Sequence, residues 1–203
     1  MNVHHYKRLS KKSILAVFTL TLGVGLLEGC TTTAPNSPKP ESSSAQSADA
    51  RIDADVQSTL NRLYDVAAGS RSMVQHAAGV LVFPKVYGGA FIVGAQHGQG
   101  ALQIHGRVAG YYNTTGLSIG WQAGASSKAI VYVFNSAEAL AHFRASNGWQ
   151  VGADAKVAVG HIGANGSVDS QTLSQPVVSF VMNNAGLEGG VALDGAKITP
   201  VTH

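Results

Sequence analysis

Ala129-Ile130-Val131-Tyr132-Val133-Phe134 is an apolar run with no polar break. Val177-Val178-Ser179-Phe180-Val181-Met182 is interrupted only by a serine. Such runs suit strands covered on both faces rather than strands with one wet face. The stretches around them read the same way. Val80-Leu81-Val82-Phe83 runs into Pro84, and Ala90-Phe91-Ile92-Val93 runs into Gly94. Residues 117–123, 157–159 and 191–193 alternate apolar with polar or small residues, the period of a strand. Glycine, with 24 copies in 203 residues, punctuates all of them. Residues 93–100 and 159–166 echo each other loosely and read as two glycine-rich β-turn regions, with Asn165-Gly166 as a hairpin turn. Glycine inside strands permits bulges and close backbone approach, devices that closed sheets use. The pattern predicts an α+β domain with a mostly antiparallel, Gly-rich, twisted or barrel-like sheet, an N-terminal helix and one or two further short helices.

The N-terminal helix rests on Ile52, Val56, Leu60, Leu63 and Ala67, spaced by three and four residues as one apolar stripe. Asp53, Asp55, Asn61, Arg62 and Asp65 decorate the other side, and Gly69 ends it. An amphipathic helix of this kind either packs on a sheet or lies on a bilayer. Its polar face carries more acid than base, which favours packing on a sheet. A second short helix is expected over 70–77. A third is capped by Ser136, turns Leu140 and Phe143 inward and stops at Asn147-Gly148.

Upstream, Lys7, Arg8, Lys11 and Lys12 precede an uncharged apolar stretch from Ser13 to Leu27. A basic leader and an apolar run shorter than the roughly 18–20 residues of a spanning helix describe a secretory signal over 1–29. Leu27-Glu28-Gly29-Cys30 resembles the bacterial lipobox, in which the cysteine is acylated and becomes the first residue after cleavage. Glu28 departs from the small or apolar residue usual there. Cys30 is the only cysteine, so an internal disulfide is excluded and lipid attachment is the expected use. Residues 30–49 form the lipidated N-terminus and a Ser/Thr/Pro-rich tether, and residues 50–203 form one domain. Thr31 lacks the aspartate that holds many such lipoproteins at the inner membrane, so the resemblance points to the outer membrane and to palmitate among the acyl chains.

Removing residues 1–29 takes four of the 14 basic and one of the 11 acidic residues, leaving ten of each. A near-neutral domain does not carry a nucleic-acid footprint. Gly116-Leu117-Ser118-Ile119-Gly120 fits a nucleophile elbow, with Ser118 as the nucleophile of a remote serine-hydrolase reading. That motif needs strand, sharp turn and helix, whereas Trp121-Gln122-Ala123 continues a strand-like alternation. His76, His97, His105, His142 and His161 lack metal-ligand spacing, and Asp154, Asp169 and Asp194 read as turn residues. No catalytic residue, metal or cofactor is expected, and the chain is read as a non-enzyme. Lys85, Arg107, Lys128 and Lys156 are the candidate lipid-headgroup residues. Gathered on one face, they would each contribute about 1 kcal/mol near an anionic surface.

A family resemblance then emerges from several motifs in order. They are Gly79-Val80-Leu81-Val82-Phe83-Pro84, Gly89-Ala90-Phe91-Ile92-Val93-Gly94, Gly98-Gln99-Gly100 and Gly110-Tyr111-Tyr112-Asn113. Gly120-Trp121-Gln122-Ala123-Gly124-Ala125, Gly148-Trp149, Gly152-Ala153-Asp154, Gly186-Leu187 and Leu193-Asp194-Gly195 continue them. Together, over about residues 55–201, they resemble the SYLF domain. The resemblance implies binding of phosphoinositides and other anionic lipids, as in eukaryotic members, through an amphipathic N-terminal helix with a basic surface. Fungal members bind actin, and bacterial members are often lipoproteins. The expectation is a membrane-anchored lipoprotein whose domain binds anionic phospholipid or an envelope component. The competing expectation is a structural envelope lipoprotein with no lipid contact beyond its anchor.

Overall fold

Val56, Leu60, Leu63 and Ala67, the stripe of the first helix, are all buried, and Ile52 packs beside them. Burying side chains of this size stabilises by about 1.5–3 kcal/mol for each of the larger ones. What covers them is a sheet, so the stripe belongs to the core. The computed structural model describes residues 41–88, 95–117, 126–161, 167–189 and 193–202. The segment read as a signal, Cys30, residues 90–93, Ser118 to Ala125, Asn165-Gly166 and residues 191–192 lie outside the described residues.

The helices are α1 (Glu41–Val66), α2 (Ser70–His76), α3 (Ala137–Ala145) and the short α4 (Ser170–Leu173). The long strands are β1 (Gly79–Gly88), β2 (Ala95–Ile104), β3 (Arg107–Leu117), β4 (Ser126–Phe134) and β7 (Val177–Asn183). The short ones are β5 (Trp149–Gln150), β6 (Ala158–Val159), β8 (Gly186–Leu187) and β9 (Lys197–Pro200). α1 starts at Glu41, so it reaches back into the stretch expected to be tether. Gly69 sits between α1 and α2 with φ +87°, a left-handed turn that glycine adopts without strain. The Ser136 hydroxyl caps α3 by accepting from the Ala139 N–H at 3.3 Å.

The nine strands form one sheet in the order β5-β9-β3-β2-β1-β4-β7-β6, with β8 beside β7. All pairings are antiparallel except β6 with β7. The sheet is strongly curled into a half-barrel, and ring contacts measure the curl. Four strands separate β5 from β4, which in a flat sheet places them roughly 24 Å apart. Yet the Trp149 ring of β5 meets Tyr132 of β4 edge to face at 6.1 Å. Phe134 and Phe143 complete the cluster at 6.0 and 5.4 Å from Trp149.

The two continuous runs are covered on both faces. Ile130, Tyr132 and Phe134 point into the concave side with Leu81, Phe83, Leu102 and Val181. Val131, Val133, Val178 and Phe180 point to the convex side, under α1 and α2. Leu140 and Phe143 of α3 close the concave side, as expected from the sequence.

The glycine-rich stretch read as a turn at 93–100 is instead the first half of β2, from Ala95 onward. Gly98 and Gly100 stand inside that strand, Gly98 in register with Val86 and Thr114, and Gly100 with Tyr112 where the β1 register shifts. A Cβ on Gly100 would land on the Val82 carbonyl oxygen and the Phe83 ring. The glycine is there because the curl brings neighbouring backbone into the space of a side chain. Pro84 likewise does not end β1. Lacking an N–H, it marks a bulge where pairing with both neighbours shifts between Val82 and Val86.

Gly100→Ala is therefore expected to lower unfolding free energy by about 1–3 kcal/mol in urea denaturation. Gly189→Ala, with open space around it, serves as the near-neutral control.

Candidate lipid-contact site

The bulge at Pro84 sets the direction of Lys85. The side chain leaves the sheet on the convex side and its Nζ lies 2.7 Å from Asp55 Oδ2 on α1. The hydrogen bond and charge of Asp55 raise the Lys85 pKa. Both side chains are about half exposed, so the pair contributes at most about 1 kcal/mol. Its structural effect is to pin α1 across β1.

Lys128 is in register with Val86, whose side chain belongs to the concave core. It is only 5% exposed, and its Nζ lies 2.8 Å from Glu188 Oε1. A lysine directly before an apolar run covered on both faces has no route to water. It needs a carboxylate, and Glu188 after β8 supplies it. The other Glu188 oxygen is buried with no hydrogen bond.

Arg107 opens β3 just after the His105-Gly106 turn and is exposed. It pairs with Ile104, while Lys85 pairs with Gln99 on the same strand. Those partners are five residues apart, roughly 17 Å of strand. Lys156 is exposed in the segment linking β5 to β6, strands at opposite ends of the sheet order. The fold therefore does not bring the four cations onto one face. Lys85 and Lys128 point to opposite sides of the sheet, each bound to a carboxylate.

Their partners Asp55 and Glu188 were not legible as functional residues. The available signal was Lys128 itself, a charge abutting a fully apolar strand. A third carboxylate, Asp53, anchors the same helix: the Tyr111 hydroxyl donates to both its oxygens at 3.2 Å. Burial, with the Asp53 charge and hydrogen bond added, raises the Tyr111 pKa from 10.0 to about 12.

The aspartates read as turn residues act that way. Asp169 caps α4, accepting from the Thr172 N–H at 2.8 Å, and this bond lowers its pKa. Asp154 accepts from the Gln150 N–H at 2.6 Å. Among the described residues, no three His, Cys, Asp or Glu side chains gather as a metal site. Nor is any helix among them long and apolar enough to cross a membrane. Tyr132, enclosed in the concave core, has its pKa pushed up by burial and stays a neutral phenol. Ser118 falls outside the described residues; the nearest described elements before and after it are both strands, β3 and β4.

The described residues form an α+β domain, a curled, mostly antiparallel half-barrel with the N-terminal helix packed on its convex face. Residues 115–202 match the Ysc84 family model, described as Las17-binding protein actin regulator. The match marks residues 115–202 as a SYLF-family domain, the family that the glycine and aromatic motifs resemble. None of the curated proteins matches the chain.

Removing the cation in Lys128→Met leaves a half-enclosed carboxylate and is expected to cost about 1–3 kcal/mol in urea denaturation. Lys128→Met with Glu188→Gln is expected to lose less than the sum of the two single changes.

Tyr111 is expected to titrate near 12 by tyrosinate absorbance, the high-pH step vanishing in Tyr111→Phe. Because the folded pKa is the higher one, its stabilising effect is full below pH 10.0 and is lost as pH rises toward about 12. A Tyr111 that ionises at the ordinary value would refute the helix anchor.

Proposed function

We propose that this chain is an exported, non-enzymatic SYLF lipoprotein, cleaved before Cys30 and held at the outer membrane by acyl chains on that cysteine. In this reading its domain contacts anionic phospholipid from the envelope side. The observation that carries the reading is the family match over 115–202, since SYLF domains are a binding family linked to lipid. The leader and Cys30 add export and an anchor from sequence alone. The actin role in the family's description is not carried over, because the leader directs the chain out of the cytoplasm.

The geometry changes where lipid contact is sought. The α1 stripe is occupied by the sheet, so it has no apolar face left to insert. Lys85 and Lys128 are engaged by Asp55 and Glu188. Arg107 and Lys156 are the exposed members of the original set; they stand at separate places in the fold, and each is proposed as its own headgroup contact. The same two ion pairs favour a second reading, a structural envelope lipoprotein whose only lipid contact is its anchor.

Vesicle co-sedimentation separates the two. A chain lacking residues 1–30 is expected to stay on phosphatidylglycerol vesicles at low salt, to leave at about 0.5 M salt, and to ignore phosphatidylcholine. Arg107→Glu with Lys156→Glu is expected to weaken retention several-fold, whereas Lys85→Ala leaves it unchanged. A folded domain that never sediments with anionic vesicles favours the anchor-only reading.

A further inference from the structure

A cleft of about 430 Å³ opens where α1 and α2 face the β2–β3 hairpin. That size falls within the range of small-ligand sites. Its polar wall holds the amides of Gln57, Gln75 and Gln103, the His105 imidazole and Tyr64. Leu60, Val74 and Val80 supply an apolar side. Among the described residues, no Asp, Glu, Lys or Arg lines it. The nearby Arg71 guanidinium lies over the Tyr64 ring, 4.2 Å from its centroid, and is not part of the wall.

Gln103 is the informative residue. It is 7% exposed and stands in register with Val80 on the helix-covered side of the sheet. Its side-chain amide makes no hydrogen bond to another described residue, although it lines the cleft. The amide is thus left facing the cleft, with its donor and acceptor open to whatever enters. The hairpin turn beside it has both central residues at positive φ, His105 at 50° and Gly106 at 73°. This two-residue turn fixes the imidazole at the mouth of the cleft.

The chemistry of the wall selects a ligand class. A primary amide presents a donor and an acceptor in one plane, which matches two adjacent hydroxyl groups. Three amides, an imidazole and a phenol, with no full charge, suit a neutral polyhydroxylated molecule. The apolar side suits the C–H face of a sugar ring. A phosphate or carboxylate would find no lysine or arginine among the described residues of the wall itself.

We propose that this cleft is a binding site for an uncharged saccharide, held through Gln103, Gln75, Gln57 and His105. The proposal goes beyond the lipid reading and does not depend on it. The test is an NMR titration of the full chain, held in a detergent with no sugar headgroup, with cellobiose and with di-N-acetylchitobiose. The glutamine side-chain amide signals are followed, and inorganic phosphate and adenosine run as parallel titrants. At least one disaccharide is expected to shift the Gln103 amide saturably. Gln103→Leu is expected to keep or raise the Tm and to weaken binding roughly tenfold, because it removes the amide and not the packing. If Gln103→Leu fails to fold, Gln75→Ala on the exposed side of α2 is expected to weaken binding several-fold in its place. Undiminished binding in the folded variant overturns the proposal. So does saturable binding of phosphate or adenosine without either sugar, or no response to any titrant.

Discussion

The structure depends on burying both faces of β4 and β7 at once. Each alternate residue of these strands must find an apolar partner on its own side, and a flat sheet offers only one packed layer for each side. Curling solves the concave side by bringing the sheet's far strand onto its middle. Trp149 of β5 rests on Tyr132 and Phe134 of β4, and α3 adds Phe143. The convex side is closed by the α1 stripe. Glycines at 98 and 100 follow from this geometry, because tight coiling leaves room only for backbone.

The same constraint shapes the electrostatics. Once the apolar stripe of α1 is committed to the sheet, its acidic face meets the strands at its margins. Asp55 takes Lys85, and Asp53 takes the Tyr111 hydroxyl. Charges that looked like solvent decoration therefore hold the helix in place. Lys128 is the inverse case: a cation carried inward by strand alternation and neutralised by Glu188 just after β8. A SYLF domain built in this way has spent its amphipathic helix and two of its basic residues on its own fold. The surface left open to partners includes exposed Arg107 and Lys156 and, next to Arg107, the cleft lined by uncharged residues.

Much of this architecture was legible in the chain. The periodicity of Ile52 to Ala67, the Ser136 cap and the two apolar runs each report a local pattern with a single structural solution. Legibility failed at glycine and proline. Gly98-Gln99-Gly100 and Pro84 carry the composition of turns yet lie inside strands. Whether a glycine marks a turn or a close approach depends on which backbone passes beside it.

By itself the sequence determined the class of the domain, its helices, its doubly covered strands and its family, because these rest on local spacing and ordered motifs. Only the tertiary structure decided which charges are available to a partner. Lys85, Arg107, Lys128 and Lys156 look equivalent in one dimension. Strand alternation and the Pro84 bulge send Lys85 and Lys128 to opposite faces, and contacts 30 and 60 residues away in the chain consume both. Pairing at such separations is set by the curl of the sheet, which no local window of sequence encodes.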